Sequence, residues 1–314
     1  MSLPFFSADD VTSAVSMQEA IDAMEVAFSS VNNNTAESPL RITMPIGDHD
    51  AHHLSMPAYI HGGKYLTIKL INVHTKNPTM GYDLINGVIV IMDAKTGSAT
   101  ALIDGKSVTS LRTGAASGYA TRILANNDAA HAVVFGNGVQ AKTQIEAIQI
   151  VRDIKSIKVI GRDSKKVEQF CDIFDDTVSL GTINDLKNAD IVCTATTSQV
   201  PLFEFNDISN GAHVNAVGAH GPNKREVPTE LIQKSKVFVD SLSSSYKEAG
   251  NILIPIENGD YNWDNVQCEI GELINVKTNG RSKESDITFF NSVGTAVQDL
   301  VISNIVMEKN IGAT

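Results

Sequence analysis

Three cations stand in surroundings that make a charge expensive to keep. Lys69 lies within Tyr65-Leu66-Thr67-Ile68-Lys69-Leu70-Ile71-Asn72, Arg41 within Pro39-Leu40-Arg41-Ile42-Thr43-Met44-Pro45, and Arg112 within Ser110-Leu111-Arg112-Thr113-Gly114. A lysine flanked by Ile and Leu on a strand is partly desolvated, which lowers its pKa and makes it a candidate acid or base. Two arginines can clamp a carboxylate through paired N–H bonds. The ordinary alternative for each is a surface side chain that lays its stem along apolar neighbours.

A second set of residues suits a dinucleotide. Gly136-Asn137-Gly138-Val139-Gln140-Ala141 follows a predicted strand and opens a predicted helix. Gly136 permits the tight turn, Gly138 lets a pyrophosphate approach the backbone, and Ala141 still allows helix–strand packing. The positive end of the helix faces the phosphates. The next strand ends Val159-Ile160-Gly161-Arg162-Asp163-Ser164-Lys165-Lys166, with Gly161 where an NAD site places its ribose-reading acid. A guanidinium in place of a carboxylate suits a 2′-phosphate, so Arg162 and Ser164 favour NADP(H), with NAD(H) possible. Asp163 would reach a 2′-hydroxyl after a two-residue slip of register, and a solvated basic turn is the plainer reading.

Other chemistries find less support. His49, His52, His53, His61 and His74 crowd one region, but only Asp48 and Asp50 lie near them and no helical metal-binding spacing occurs, so no metal is expected. Gly-x-Ser-x-Gly is absent, which leaves a serine hydrolase without a motif. A net charge of −11 argues against nucleic acid and anionic membrane surfaces as partners. No apolar run reaches the ~18 residues a membrane span needs. Cys171, Cys193 and Cys268 form neither a disulfide framework nor a zinc knuckle, and Met1-Ser2-Leu3-Pro4-Phe5-Phe6 lacks the basic start of a secretory signal. A cytoplasmic setting is expected.

The elements that must position these residues fall into two patterns. Apolar residues close to a 3.6-residue period predict a helix over 17–31, stopped by Asn32-Asn33-Asn34. Short strands follow at 38–46, 53–60 and 64–73, then a pair at 88–93 and 99–104 joined by the turn Ala94-Lys95-Thr96-Gly97. A helix over 107–125 carries Thr113-Gly114-Ala115-Ala116-Ser117-Gly118, small enough for close backbone approach. From residue 132 strands and helices alternate: strands at 132–135, 157–160, 177–180, 191–195, 213–217 and 236–240, with helical patterns between them. That alternation means parallel βαβ units. One more helix is predicted over 294–309. The fold class is α/β: a Rossmann-type doubly wound parallel sheet plus a second α+β domain.

Several separated motifs resemble one family. Lys69-Leu70-Ile71-Asn72, Asp104-Gly105, Leu111-Arg112-Thr113-Gly114-Ala115-Ala116, the glycine loop, Val217-Gly218-Ala219 with Pro222 and Lys224, and Ser292-Val293-Gly294-Thr295-Ala296-Val297-Gln298-Asp299 together resemble the ornithine cyclodeaminase/mu-crystallin family over nearly the whole chain. The resemblance implies a homodimer in which residues 1–118 and 296–314 bind substrate and dimerise, while residues 119–295 form an NAD(P)-binding Rossmann domain. It implies that Arg41, Lys69 and Arg112 surround a substrate carboxylate. Gly136, Gly138, Val139 and Gln140 would hold the pyrophosphate. Arg112, Thr113, Thr194, Thr196, Val217, Gly218, Lys224 and Ser292 would complete the cofactor site.

Departures from the family pattern choose among its chemistries. Where cyclodeaminases carry an Asp after Gly-Gly, this chain has His220; where they carry a Glu before Met-Pro, it has Leu54; where they carry a ribose-reading acid, it has Gly161. A small apolar cyclic imino acid suits such a pocket. The expected reaction is NAD(P)H-dependent reduction of Δ1-pyrroline-2-carboxylate to L-proline, or of Δ1-piperideine-2-carboxylate to L-pipecolate. Lys69 is the first candidate for guiding the proton and His220 the second. Alanine dehydrogenase-type reductive amination, ornithine cyclodeaminase and a non-catalytic NADPH-binding mu-crystallin-like protein are the alternatives.

Overall fold

Two serines set the first helices. Ser7 and Ser16 each accept a hydrogen bond from the backbone three residues on, and Asp10 and Glu19 reach back to close both capping boxes. The helices Ala8–Ala14 and Met17–Asn32 follow, the second burying Ala20, Ile21, Met24 and Phe28 on one face. Asn33 ends it, and Asn34 turns the chain at a φ of 56°. The computed structural model describes residues 3–278 and 280–311.

The chain divides into two compact units, one of Met1–Arg112 with Thr295–Thr314, the other of Thr113–Gly294. In the first, seven strands form one sheet: β1 (Phe5–Phe6), β2 (Ala36–Glu37), β3 (Ile42–Ile46), β4 (Ala51–Ile60), β5 (Tyr65–His74), β6 (Ile85–Asp93) and β7 (Ala99–Asp104). The order is β1-β7-β6-β5-β4-β2, with β3 also paired to β4. Every pairing is antiparallel except that of β1 with β7. Strand β4 is ten residues long, two more than the sequence pattern predicts, β5 has its expected length shifted by one residue, and β3 begins four residues later than expected. The final helix, Ala296–Ile311, packs on β4, β5 and the helix Met17–Asn32. Along β5 burial alternates, so Tyr65, Thr67, Lys69 and Ile71 share the covered face while Leu66, Ile68 and Leu70 lie on the other.

The second unit holds eight strands, all parallel: β8 (His131–Phe135), β9 (Ser156–Ile160), β10 (Val178–Leu180), β11 (Ile191–Thr194), β12 (His213–Ala216), β13 (Lys236–Val239), β14 (Val266–Glu269) and β15 (Thr288–Asn291). Their order, β10-β9-β8-β11-β12-β15-β13-β14, reverses direction at β8/β11. This is the doubly wound Rossmann arrangement. Alternate side chains leave the sheet on opposite faces. Val134 and Val159 join Ile145 and Val167 in one core; Val133, Val192 and Val214 join Leu231 and Phe289 in the other. Phe289 and Phe290 are fully buried, so truncating either to alanine costs about 3–5 kcal/mol.

The division between units falls inside the helix Gly105–Leu124. The small residues after Arg112 find their reason there: a Cβ on Gly114 would lie 2.6 Å from the Thr143 carbonyl oxygen, so only glycine lets this helix approach Val139–Val151 so closely. Among the described residues no helix is long and apolar enough to cross a membrane.

Candidate functional site

In the first unit, β5 carries Lys69 onto the face covered by the last helix. That helix presents Asp299, an acid in the apolar run Val297 to Ile302, directly opposite. Lys69 Nζ stands 2.5 Å from Asp299 Oδ2, and both side chains are essentially inaccessible to solvent. Arg112 Nε lies 3.4 Å from Asp299 Oδ1, and Arg112 Nη1 donates to Gln298 Oε1 at 3.2 Å. Thr109 Oγ1 completes the surroundings of the ammonium at 3.5 Å. Burial pushes Lys69 down to about 8; Asp299 opposes that, and the positive fields of Arg112 and then Arg41 add to it. Arg41, Lys69 and Arg112 are therefore one electrostatic cluster, three cations against one carboxylate. A cluster with surplus positive charge and an ammonium that exchanges its proton near neutrality can bind a carboxylate and deliver a proton beside it.

In the second unit, most of the predicted cofactor residues lie at or just beyond the carboxyl ends of the strands, where open parallel sheets bind ligands at the switch point; Thr113 lies on the helix Gly105–Leu124 instead, and Arg112, on the same helix, belongs to the first unit. Gly136 follows β8 with a φ of 111°, and a Cβ there would meet the Ala195 carbonyl oxygen at 2.5 Å. Gly138 precedes the helix Val139–Val151, has no side-chain cap, and would meet nothing within 4 Å if it bore a Cβ. Open space over an uncapped helix N-terminus is the cradle a pyrophosphate fits, so these residues suit the dinucleotide. Val139 and Gln140 form the first turn. Beyond β9, a Cβ on Gly161 would lie 2.7 Å from Val167 Cγ2, so a ribose-reading acid at that place needs the Val167 side chain to shift. Asp163 instead caps the next helix, accepting from the Lys166 N–H at 3.3 Å, while Arg162 and Ser164 are exposed.

The remaining residues divide by burial. Thr194 is the last residue of β11 and is wholly buried; Thr196 is half-buried; Val217 is buried beside half-buried Gly218. Ser292 follows β15, buried, and donates to Asp240 Oδ2 at 2.9 Å. Thr113 is buried, whereas Lys224 and His220 are exposed. Two of the first unit's histidines have local partners: His53 meets Asn72 and His61 meets Glu37.

Sequence reasoning missed Asp299 as a functional group, although an acid inside a run of Val, Leu and Ile was the available signal. It also missed Glu226 and Asp240, buried acids that anchor the strand-end loops; nothing in Arg225-Glu226-Val227-Pro228 marks the first of these in advance.

The family model for the ornithine cyclodeaminase/mu-crystallin family matches residues 4–313. The chain belongs to this family. It is 31% identical to a Δ1-pyrroline-2-carboxylate reductase of Bacillus cereus, over 97% of this chain and 96% of that protein. The structure of the Δ1-pyrroline-2-carboxylate reductase of Thermococcus litoralis, in complex with NADH and L-proline, superposes with a TM-score of 0.94 at 32% identity, covering 99% of this chain and 98% of that one. An archaeal alanine dehydrogenase dimer with bound NAD gives a TM-score of 0.93 at 30% identity, covering 100% and 97%.

Proposed function

We propose that this protein reduces a cyclic ketimine carboxylate, Δ1-pyrroline-2-carboxylate to L-proline, with Δ1-piperideine-2-carboxylate to L-pipecolate as the six-membered counterpart. The observation that carries this reading is the buried Lys69–Asp299–Arg112 cluster in a chain that matches such reductases from end to end. NAD(P)H supplies the hydride when bound, and the imine carbon receives it. The imine nitrogen takes a proton, so the balance is one hydride and one proton added across C=N. Arg41 and Arg112 hold the carboxylate and fix which face of the ring is presented. Lys69 holds the proton, near enough to neutrality to release it, and Asp299 holds Lys69 in place. His220 is a second candidate donor, exposed beside Gly221.

NADPH is the preferred cofactor in this reading. Three features support it: glycine in place of an acid at position 161, the capping duty of Asp163, and the exposed guanidinium of Arg162. Thr113, Thr194, Thr196, Val217, Gly218, Lys224 and Ser292 complete the proposed cofactor site. The protein is also proposed to work as a homodimer. The uncovered face of the first unit's sheet is half-exposed and apolar, with Ile68 opposite Val90, Leu70 opposite Val88, and Val90 opposite Leu102. A second copy of the same face is a self-complementary cover for it. The cysteines, all buried free thiols, support a cytoplasmic setting.

The likeness to alanine dehydrogenase favours one second reading, reductive amination of pyruvate. A substrate panel separates the two. The proposal expects oxidation of NADPH with Δ1-pyrroline-2-carboxylate alone; turnover only with pyruvate and ammonium together transfers the protein to the second reading. Ornithine consumed with no net change in cofactor absorbance identifies a cyclodeaminase, and tight NADPH binding without any turnover identifies a binding protein.

A further inference from the structure

Glu226 is fully buried and belongs to no regular element, yet its carboxylate receives five hydrogen bonds. Oε1 accepts from the Thr196 N–H at 2.8 Å and the Thr196 hydroxyl at 2.7 Å. Oε2 accepts from the Thr194 hydroxyl at 3.0 Å, the Gly218 N–H at 2.9 Å and the Ala219 N–H at 3.0 Å. The donors come from the last residue of β11 and from the two loops that follow β11 and β12, where the two strands stop pairing. The loops are pressed together as well as tied: a Cβ on Gly218 would stand 2.3 Å from the Thr196 carbonyl oxygen. Behind the carboxylate, the Glu226 N–H donates to Asn251 Oδ1 at 2.8 Å, and Asn251 Nδ2 donates to Asn291 Oδ1, at the end of β15, at 2.9 Å. The carboxylate thus links the carboxyl ends of β11 and β12, and the backbone N–H of the same residue extends the link through Asn251 to β15.

We propose that Glu226 is a positioning residue whose carboxylate fixes the two loops against which the nicotinamide ring is held. The inference rests on the reading that this unit binds NAD(P)H. An acceptor without protons is what the site requires, because three of the five donors are backbone N–H groups that cannot exchange roles. Burial pushes the carboxyl up and the threonine and backbone donors pull it back. The cost of burying an acid is offset only while every donor stays aimed at it, so the geometry of the two loops is fixed by the acid itself. No contact with the reacting atoms is needed for this role.

The test uses the full-length protein carrying Glu226→Gln. Whichever way the amide is turned, its NH2 faces a backbone N–H, of Thr196 on one side or of Gly218 and Ala219 on the other. NADPH affinity is read by fluorescence titration, kcat and KM by turnover, and hydride transfer by the isotope effect with C4-deuterated NADPH. The expected result is roughly tenfold weaker NADPH binding, from the loss of about 1.4 kcal/mol in hydrogen bonding. A kcat lowered by roughly 10–100-fold and a larger isotope effect accompany it, because a misplaced donor slows the hydride step selectively. Thr194→Val, isosteric and wholly buried, removes one donor without disturbing the backbone, and shows the same changes at smaller size. It decides the matter if Glu226→Gln does not fold. Wild-type values of affinity, kcat and isotope effect in the folded fraction of either variant, even with a lower Tm, overturn the proposal and leave Glu226 a structural staple. A wild-type protein that binds neither NADPH nor NADH overturns the cofactor reading along with it; normal wild-type binding with unaltered variants overturns the role of Glu226 alone.

Discussion

At the scale of single residues, Lys69 has the environment its task requires. An exposed lysine stays charged far above neutrality and gives up its proton reluctantly; burial brings this one down to about 8. The proton must be present for it to be given, so kcat/KM holds on the acid side and falls as pH rises through about 8. A flat profile across that range removes Lys69 as donor. Lys69→Ala lowers kcat/KM by roughly 10²–10⁴-fold, the usual size of a lost general acid. Asp299→Asn leaves two buried cations without their counter-charge, costs about 3–5 kcal/mol of stability, and moves the alkaline limb to lower pH. Arg162 acts elsewhere: Arg162→Ala raises KM for NADPH roughly tenfold, the loss of one charge-assisted hydrogen bond, and leaves KM for NADH nearly unchanged. Equal effects on the two cofactors refute the 2′-phosphate role.

At the scale of elements, the glycine loop is where backbone geometry and chemistry meet. Gly136→Ala puts a methyl against the Ala195 carbonyl at a φ of 111°, where a side chain is strained even in open space. About 1–3 kcal/mol of stability should go, and cofactor affinity with it, as thermal melts with and without NADPH measure. The same scale shows what was legible in advance. Helix Met17–Asn32 and strands β4 to β9 have periodicities or turns that announce them, and the glycine loop announces its own helix. Strand β15 does not: Thr-Phe-Phe-Asn is four residues long, without alternation, and becomes a strand because it lies between β12 and β13 with Phe289 and Phe290 buried on opposite faces. The helices Leu242–Glu248, Gly250–Glu257 and Ile270–Val276 are seven or eight residues each, too short for a period to stand out. At the site, lone basic residues in apolar runs pointed to the cluster. Their partner Asp299 lies 230 residues from Lys69 in the chain, and only the packing of the last helix on β5 brings the two together.

At the scale of the whole molecule, family membership and the ordered pair of units are plain, and the choice of reaction rests on the site. The open apolar face bearing Ile68, Val90 and Leu102 predicts association. Wild-type protein should scatter light as a particle of twice the chain mass, and Val90→Asp should shift it to the monomer, since a carboxylate at the centre of the face is desolvated without a partner. An unchanged mass for the variant moves the interface elsewhere. The decisive measurement supplies Δ1-pyrroline-2-carboxylate and NADPH, with neither ammonia nor a keto acid present, and counts both products. A cyclic ketimine reductase forms one L-proline for each NADPH oxidised, and the role given to Arg162 makes turnover slower with NADH at equal concentration. No proline, with NADPH left intact, contradicts it.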